Sequence, residues 1–390
     1  MSFPRRHSSL AGQSEVTSET IADYRDYDAI AARSISHGYK YKVMPNGTPG
    51  YYKVIAEDGS VSLASTDSLD AAVNDEAFNG LSGTSLETVL LSGVLGLDAI
   101  LYVPNNSRLT IDGTLTAPEN WAYSMIKELE TGHASNIHIN GGGIINGHRT
   151  SRAVHTNSII DLTGNFSETP LNNCFIDNLE FRDCVTKIIQ LSYFMHSRVA
   201  NIKAHNQIEA WTSNIYAGVK LVGVTESTLA HIKVGCIASL GDGIYPLELD
   251  DGCSTNQIID YYVAGGSQIL IAGAHHNTFL GCSINDTSNG GFRFTGASHG
   301  NRLIGGRMAL TSGYSEGIDS AIEFAGTSHH NAVLGVDFHE EVGSSNSKYA
   351  VEEQDTADYN SVTGCIADGQ VTGAWNLTGA HSVKTGNIPT

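Results

Sequence analysis

Glu248 and Asp250 are the residues of this chain whose types and spacing best suit chemistry. They sit in Ile244–Gly252, IYPLELDDG, with Asp251 following and Asp242 just ahead. Residues two apart on a strand share a face, which sets these two carboxylates about 6.5–7 Å apart. Such a pair in a groove leaves room for a water and suits inverting glycoside cleavage. With a Lys or Arg beside it, a carboxylate can instead take the proton next to a sugar carboxylate, as a lyase or epimerase must. Aligning the chain's repeats puts Lys220 beside Glu248 on the preceding rung, Arg293 two rungs on and Glu323 beyond it. The catalytic set is thus Glu248, Asp250, Lys220, Arg293 and Glu323. The same column also reads as a glycan-binding surface, or as a solvated face whose alternating charges keep a sheet soluble.

Two further groups stand out. The segment 206–216, NQIEAWTSNIY, lengthens one repeat and carries Trp211 and Tyr216, aromatic platforms on which sugars stack. With Asp251 and Asp242 they make up the glycan-binding set; packing against the wall of the fold is the other reading for the aromatics. His275, His299 and His329 each lie two residues before a recurring Asn. Three stacked imidazoles can hold a metal. Apart from Asp358, one repeat later, no carboxylate or Cys is in register with them, so stacking in a turn is the expectation. The sequence calls for no metal and no cofactor.

The positioning elements come from the alignment itself. SIIDLTG at 158, KIIQLSY at 187, GVKLVGV at 218, PLELDDG at 246, QILIAGA at 268, GFRFTGA at 291, AIEFAGT at 321, AVEEQDT at 350 and AWNLTGA at 374 superpose. Two columns are apolar, from Ile160 to Trp375 and from Leu162 to Leu377, and one between them varies. Alternation along a strand turns the apolar columns inward and the variable one outward. Glu353 breaks the second apolar column. A buried, unpaired carboxylate is costly, so this rung is expected to shift register or to reach solvent. A second unit, Asn, any, apolar, any, then usually Gly or Asp, recurs at 136, 173, 256, 277, 301, 331 and 360; its later spacings run 21 to 30 residues. That period, with several short strands per repeat and no helical periodicity, indicates a solenoid. The fold class is all-β, a right-handed single-stranded parallel β-helix whose recurring Asn stacks inside a turn.

Three segments are expected. Residues 1–38 are polar and Ser-rich, an arm with one short helix over 21–35. Residues 39–86 hold β runs parted by Asn46-Gly47 and Asp58-Gly59, dipeptides that favour hairpins. Within them Ser65-Thr66-Asp67 precedes Leu69, Ala72, Val73 and Ala77, spacing that predicts a short helix able to cover the open end of a stacked core. Residues 87–390 form the β-helix.

Composition narrows the partners. The 390 residues carry 22 basic and 41 acidic side chains, a formal net charge of −19. Nucleic acid is excluded, because phosphate binding needs clustered Lys and Arg. The acidity suits a soluble surface or a high-salt habitat, and it disfavours a polyuronate. The six Cys contain no C-x-x-C pair, so most are expected to be small buried thiols. Arg5-Arg6 is followed by no apolar stretch, so no signal peptide is visible, and no run is long enough for a membrane span.

SNIHINGGGIINGH followed by NNCFIDNLEFRDC resembles the opening of polygalacturonase-type helices in the pectin-lyase-like superfamily. YYKVIAEDGSVSLASTDSLDAAVNDEAF with DAILYVPNNSRLTIDGTL resembles the front end of tailspike-like β-helix proteins, including those of salt-loving archaea and their viruses. Of the polygalacturonase motifs, Asp250-Asp251 matches the D-D pair, whereas N-T-D, G-H-G and R-I-K have no counterpart. The D-P-H-D of mannuronan epimerases and the W-I-D-H of pectate lyases are absent too. The resemblance therefore implies a virion or extracellular-surface protein of tail-spike or tail-fibre type that binds host glycans. It implies a homotrimer whose residues 1–38 dock to other virion proteins. The alternative it leaves is a polysaccharide-active hydrolase, lyase or epimerase.

Overall fold

The structure, a computed structural model, describes residues 38–119, 121, 123–130, 134–147, 157–164, 173–184, 187–205, 218–235, 245–285, 287, 289–309, 319–339 and 347–389. The arm before Gly38, with its expected helix, lies outside the described residues, as do Asp242, Trp211 and Tyr216.

Each coil contributes to parallel ladders. One sheet holds eleven short strands, from Leu101–Val103 through Leu247–Leu249 to Gly373–Asn376. The other begins with long strands such as Glu87–Gly96 and Ser107–Thr116. From residue 278 onward each of its strands splits in two, as in Thr278–Leu280 and Ser283–Asn285. A left-handed bend recurs at the Gly-or-Asp position of the repeating unit, between the halves of the split strands and also within the continuous Gln257–Ala264. Asp260, Gly281, Gly305, Gly335 and Gly364 all have φ between 51° and 64°, a left-handed bend that Gly adopts freely and Asp or Asn tolerates. The strand turns a corner there once per coil.

The two apolar columns face inward in the aligned register. Ile160 pairs with Ile189, Val219 with Leu247, and Phe294 with Phe324. Nearly every member is fully buried; Trp375 and Leu377, at the C-terminal end, are only partly so.

The Asn of the recurring unit forms a buried ladder. Asn256, Asn277, Asn301, Asn331 and Asn360 are each at most 1% exposed. Each of the first four donates its backbone N–H and side-chain amide to the Oδ1 of the next, at 2.9–3.2 Å. Ser197 and Ser227 continue the column toward the N-terminus, their hydroxyls accepting the backbone N–H of Cys174 and Ser197.

Glu353 neither shifts register nor reaches solvent. It pairs with Phe324 and is 3% exposed. Its carboxylate accepts hydrogen bonds from Asn360 Nδ2 (3.0 Å), Gly379 N (2.9 Å) and the Ser382 hydroxyl. It ends the amide ladder, and its partners offset the cost that made burial look forbidden.

At the N-terminal side, Tyr41–Pro45 and Tyr52–Ala56 form an antiparallel hairpin. The first of these strands also pairs in parallel with Glu87–Gly96, through Tyr41↔Val89, so the hairpin continues the long sheet. Among the described residues a single helix, of π geometry, lies over Ala71–Phe78, where Ser68 Oγ accepts the Ala71 N–H at 3.1 Å. Leu69, Ala72, Val73, Ala77 and Phe78 are buried. Asn74 donates to Ile100 O (2.8 Å) and accepts from Tyr102 N (2.9 Å), occupying backbone groups on the edge of the first short strand.

Candidate functional site

The outward column of the eleven-stranded sheet runs Tyr102, Lys127, Asp161, Gln190, Lys220, Glu248, Leu270, Arg293, Glu323, Glu352, Asn376, in unbroken register. Parallel rungs lie about 4.8 Å apart, so neighbours in this list meet directly. Lys220 does stand beside Glu248, with Arg293 two rungs on and Glu323 next.

The column divides at Leu270. On one side, Lys220 Nζ lies 2.8 Å from Glu248 Oε1 and 3.2 Å from Asp250 Oδ2. The gap expected between the two carboxylates is thus bridged by an ammonium. Burial alone would lower the Lys220 pKa, but its bonds to Glu248 and Asp250 outweigh this and raise it. Lys187, which precedes its strand and is outside the column, reaches Glu248 Oε2 at 3.3 Å. Asp251 lies on the turn after the strand, exposed, its backbone N–H donating to Asp250 Oδ1.

On the other side, Arg293 Nε lies 3.7 Å from Glu323 Oε2. Glu352, one rung on, accepts from Lys348 Nζ (2.8 Å), Ser320 Oγ (2.8 Å), Gln354 Nε2 (3.2 Å) and Asn376 Nδ2 (3.2 Å). The two stacked glutamates are driven apart in acidity. Burial raises the Glu323 pKa, Arg293 opposes this, and Asp319 and Glu352 add to it. Burial also acts to raise Glu352, but the hydrogen bonds from Lys348, Ser320 and Gln354 prevail and lower it. The two carboxyls are thus shifted in opposite directions, the sense in which environment sets an acid apart from a base.

Exposure orders these groups by depth. The Lys187, Arg293 and Lys348 side chains are 31–41% exposed, against 14%, 8% and 6% for Glu248, Glu323 and Glu352. The Lys187, Arg293 and Lys348 heads stand outside the carboxylates they pair with, on a chain of strongly negative net charge, whereas Lys220, 17% exposed, sits deeper than Asp250 at 37%. Glu352, Lys348 and Lys187 are the members that sequence reasoning missed. Glu352 stands in the outward column; the two lysines fall outside the aligned segment or at its edge, and only the tertiary fold turns them onto this face.

The expected His column forms. His275, His299 and His329 bridge in parallel, and Asp358 follows His329. Their rings stack at 5.0 and 5.1 Å between centroids. Cys174, Cys184, Cys253, Cys282 and Cys365 are buried free thiols, with Cys253 and Cys282 pushed up to about 12 by burial. Among the described residues, no helix is long and apolar enough to cross a membrane.

No family model and no curated protein sequence matches the chain. Solved structures do. The A-module of an Azotobacter vinelandii mannuronan C-5 epimerase superposes with a TM-score of 0.60 at 15% identity, covering 82% of this chain and 94% of its own. The tailspike protein of Escherichia coli bacteriophage HK620, solved with a pentasaccharide, gives 0.60 at 12% identity over 83% of this chain and 62% of the tailspike. A family 28 exopolygalacturonase of Yersinia enterocolitica gives 0.52 at 9% identity over 87% of this chain and 82% of the enzyme. With its parallel ladders, inward apolar columns and these structural relatives, the chain adopts the right-handed parallel β-helix of the pectin-lyase-like fold.

Proposed function

We propose that this protein is a tail-spike or tail-fibre type β-helix, at a virion or extracellular surface, that holds a host surface polysaccharide along the outward face of its eleven-stranded sheet. The observation that carries this reading is the unbroken outward column, with the Lys187, Arg293 and Lys348 heads outermost. A polymer with a repeating unit is matched by hydrogen-bonding groups repeating along a line, and ammonium and guanidinium heads suit its carboxylate or other acidic substituents. The carboxylates beneath keep the face near neutral, so an acidic glycan is not repelled there despite the net charge. In this reading Lys220, Glu248, Asp250, Asp251 and Arg293 contact the glycan, Asp242, Trp211 and Tyr216 extend the contact, and the protein is a homotrimer that docks to its particle through residues 1–38.

A second reading is favoured by Glu323 and Glu352. They sit opposite one another on adjacent rungs, whose spacing of about 4.8 Å is close to the separation of about 5–5.5 Å in a retaining glycosidase pair; in this reading Glu323 is the acid and Glu352 the ionised partner.

One experiment separates the two. The full chain is incubated with a panel of acidic and neutral polysaccharides, and retention, new reducing ends and ultraviolet-absorbing unsaturated products are measured. Retention of an acidic polymer without product, weakened in Lys220→Met and Arg293→Met, supports binding. Reducing ends that disappear in Glu352→Gln support hydrolysis. No retention and no product on any polymer would sink both.

A further inference from the structure

We propose that His275, His276 and His299 form a surface site for a divalent transition-metal ion of the zinc or nickel class, joining two consecutive coils. The site lies on the turn that follows the eleven-stranded sheet, and nothing in the glycan reading requires it. One nitrogen from each ring lies within 4.8 Å of the other two. An ion at the centre of a triangle that size would be about 2.8 Å from each donor, so each ring needs to move inward by about 0.7 Å to reach a zinc–nitrogen bond of about 2.0–2.1 Å. These rings are exposed or half-buried and have room to do so. An all-imidazole donor set suits zinc, nickel, cobalt and copper rather than calcium or magnesium.

Three features point beyond incidental proximity. His299 Nδ1 lies 3.0 Å from the carbonyl oxygen of Ala297. A carbonyl only accepts, so Nδ1 carries the proton and Nε2 presents its lone pair, the arrangement by which backbone partners orient ligating histidines. His275 Nδ1 is buried without a hydrogen-bond partner, and ligation by that ring would offset the cost of an unpaired nitrogen.

The third feature is Gly300. His276 has φ 56° and Gly300, its counterpart one coil later, φ 65°. A Cβ at position 300 would collide with His276 Nδ1 and Cε1. The next two coils carry His330 and Tyr359 there, which stack on each other at 5.0 Å and 10°. At Gly300 that stack is interrupted. His276 leans into the vacant space and meets both His275 (5.3 Å, 82°) and His299 (5.2 Å, 81°) edge-on.

The test is titration of the full chain with zinc by calorimetry, repeated with cobalt while following its visible absorption. His276→Asn keeps a residue that tolerates the left-handed conformation, and His299→Gln keeps a polar side chain. His196→Asn, in the same turn column near Glu226, is the control among the chain's 16 His. Circular dichroism checks that each variant is folded. The expected result is one saturable site per chain, with a cobalt spectrum of nitrogen ligation, weakened at least about tenfold in either site variant and unchanged in the control. Absence of saturable binding, or equal affinity in the parent, His276→Asn and His299→Gln, overturns the proposal.

Discussion

Substituting Asn301 in the middle of the amide ladder tests what holds the coils in register. Asn301 Oδ1 accepts both the backbone N–H and the side-chain amide of Asn277, each at 3.0 Å, and Asn301 Nδ2 donates to Ala274 O and Asn331 Oδ1. The side chain is fully buried, so water does not replace it. In Asn301→Leu most of these groups keep another partner. Asn277 Nδ2 still reaches Cys253 O and His275 O, Ala274 O still accepts from His299 N, and Asn331 Oδ1 still accepts from Asn301 N. The Asn277 N–H is left with none. An orphaned buried donor costs about 1–3 kcal/mol, and each of the three other lost bonds about 1 kcal/mol, so the total is about 4–6 kcal/mol. Serine behaves differently, because Ser197 and Ser227 already accept a backbone N–H in this column. Asn301→Ser is therefore expected to cost about 1–2 kcal/mol. Urea midpoints rank the variants, and hydrogen exchange at residues 277, 301 and 331 locates the effect, since a solenoid need not unfold in one step. If Leu were as stable as Asn, or Ser as damaging as Leu, the ladder would not be what stabilises these turns.

Three further outcomes follow from single residues. Lys220→Gln should cost at most about 1 kcal/mol, since the ion pairs are partly solvated. A raised lysine pKa contributes stability below the ordinary value of 10.5 that is lost as pH rises through the folded value; the gap between parent and variant in thermal unfolding should close above that pH. Glu323 has a raised pKa, so its protonated form is favoured by folding and its ionisation above 4.5 opposes folding. Glu323→Gln should accordingly gain on the parent between acidic and neutral pH, and a loss over that interval would show that the glutamate is stabilised as an anion. Gly335→Val should destabilise by about 1–2 kcal/mol through left-handed strain alone, because nothing lies within 4 Å of a Cβ built there. Gly335→Asn should cost less in the same urea titration, since Asn178 and Asn201 adopt that conformation.

The sequence by itself determined the fold class, the inward columns and the register of the outward one. The reason is periodicity. A parallel ladder places equivalent residues of successive coils side by side, so a repeat that aligns in sequence aligns in space. Lys220 beside Glu248, Arg293 beside Glu323, and His275 beneath His299 and His329 were all legible in this way. Groups outside the repeat were not. Glu353 looked forbidden because its partners, Asn360, Gly379 and Ser382, come from a turn and from the following coil. Lys187 and Lys348 joined the face because chain entering a strand leans onto it, which no alignment of strand residues records. The Lys220 bridge, the opposite acidities of Glu323 and Glu352 and the tilt of His276 over Gly300 were decided by tertiary structure alone. They depend on side-chain reach, burial and the space left by a missing Cβ, and none of these is a property of one segment.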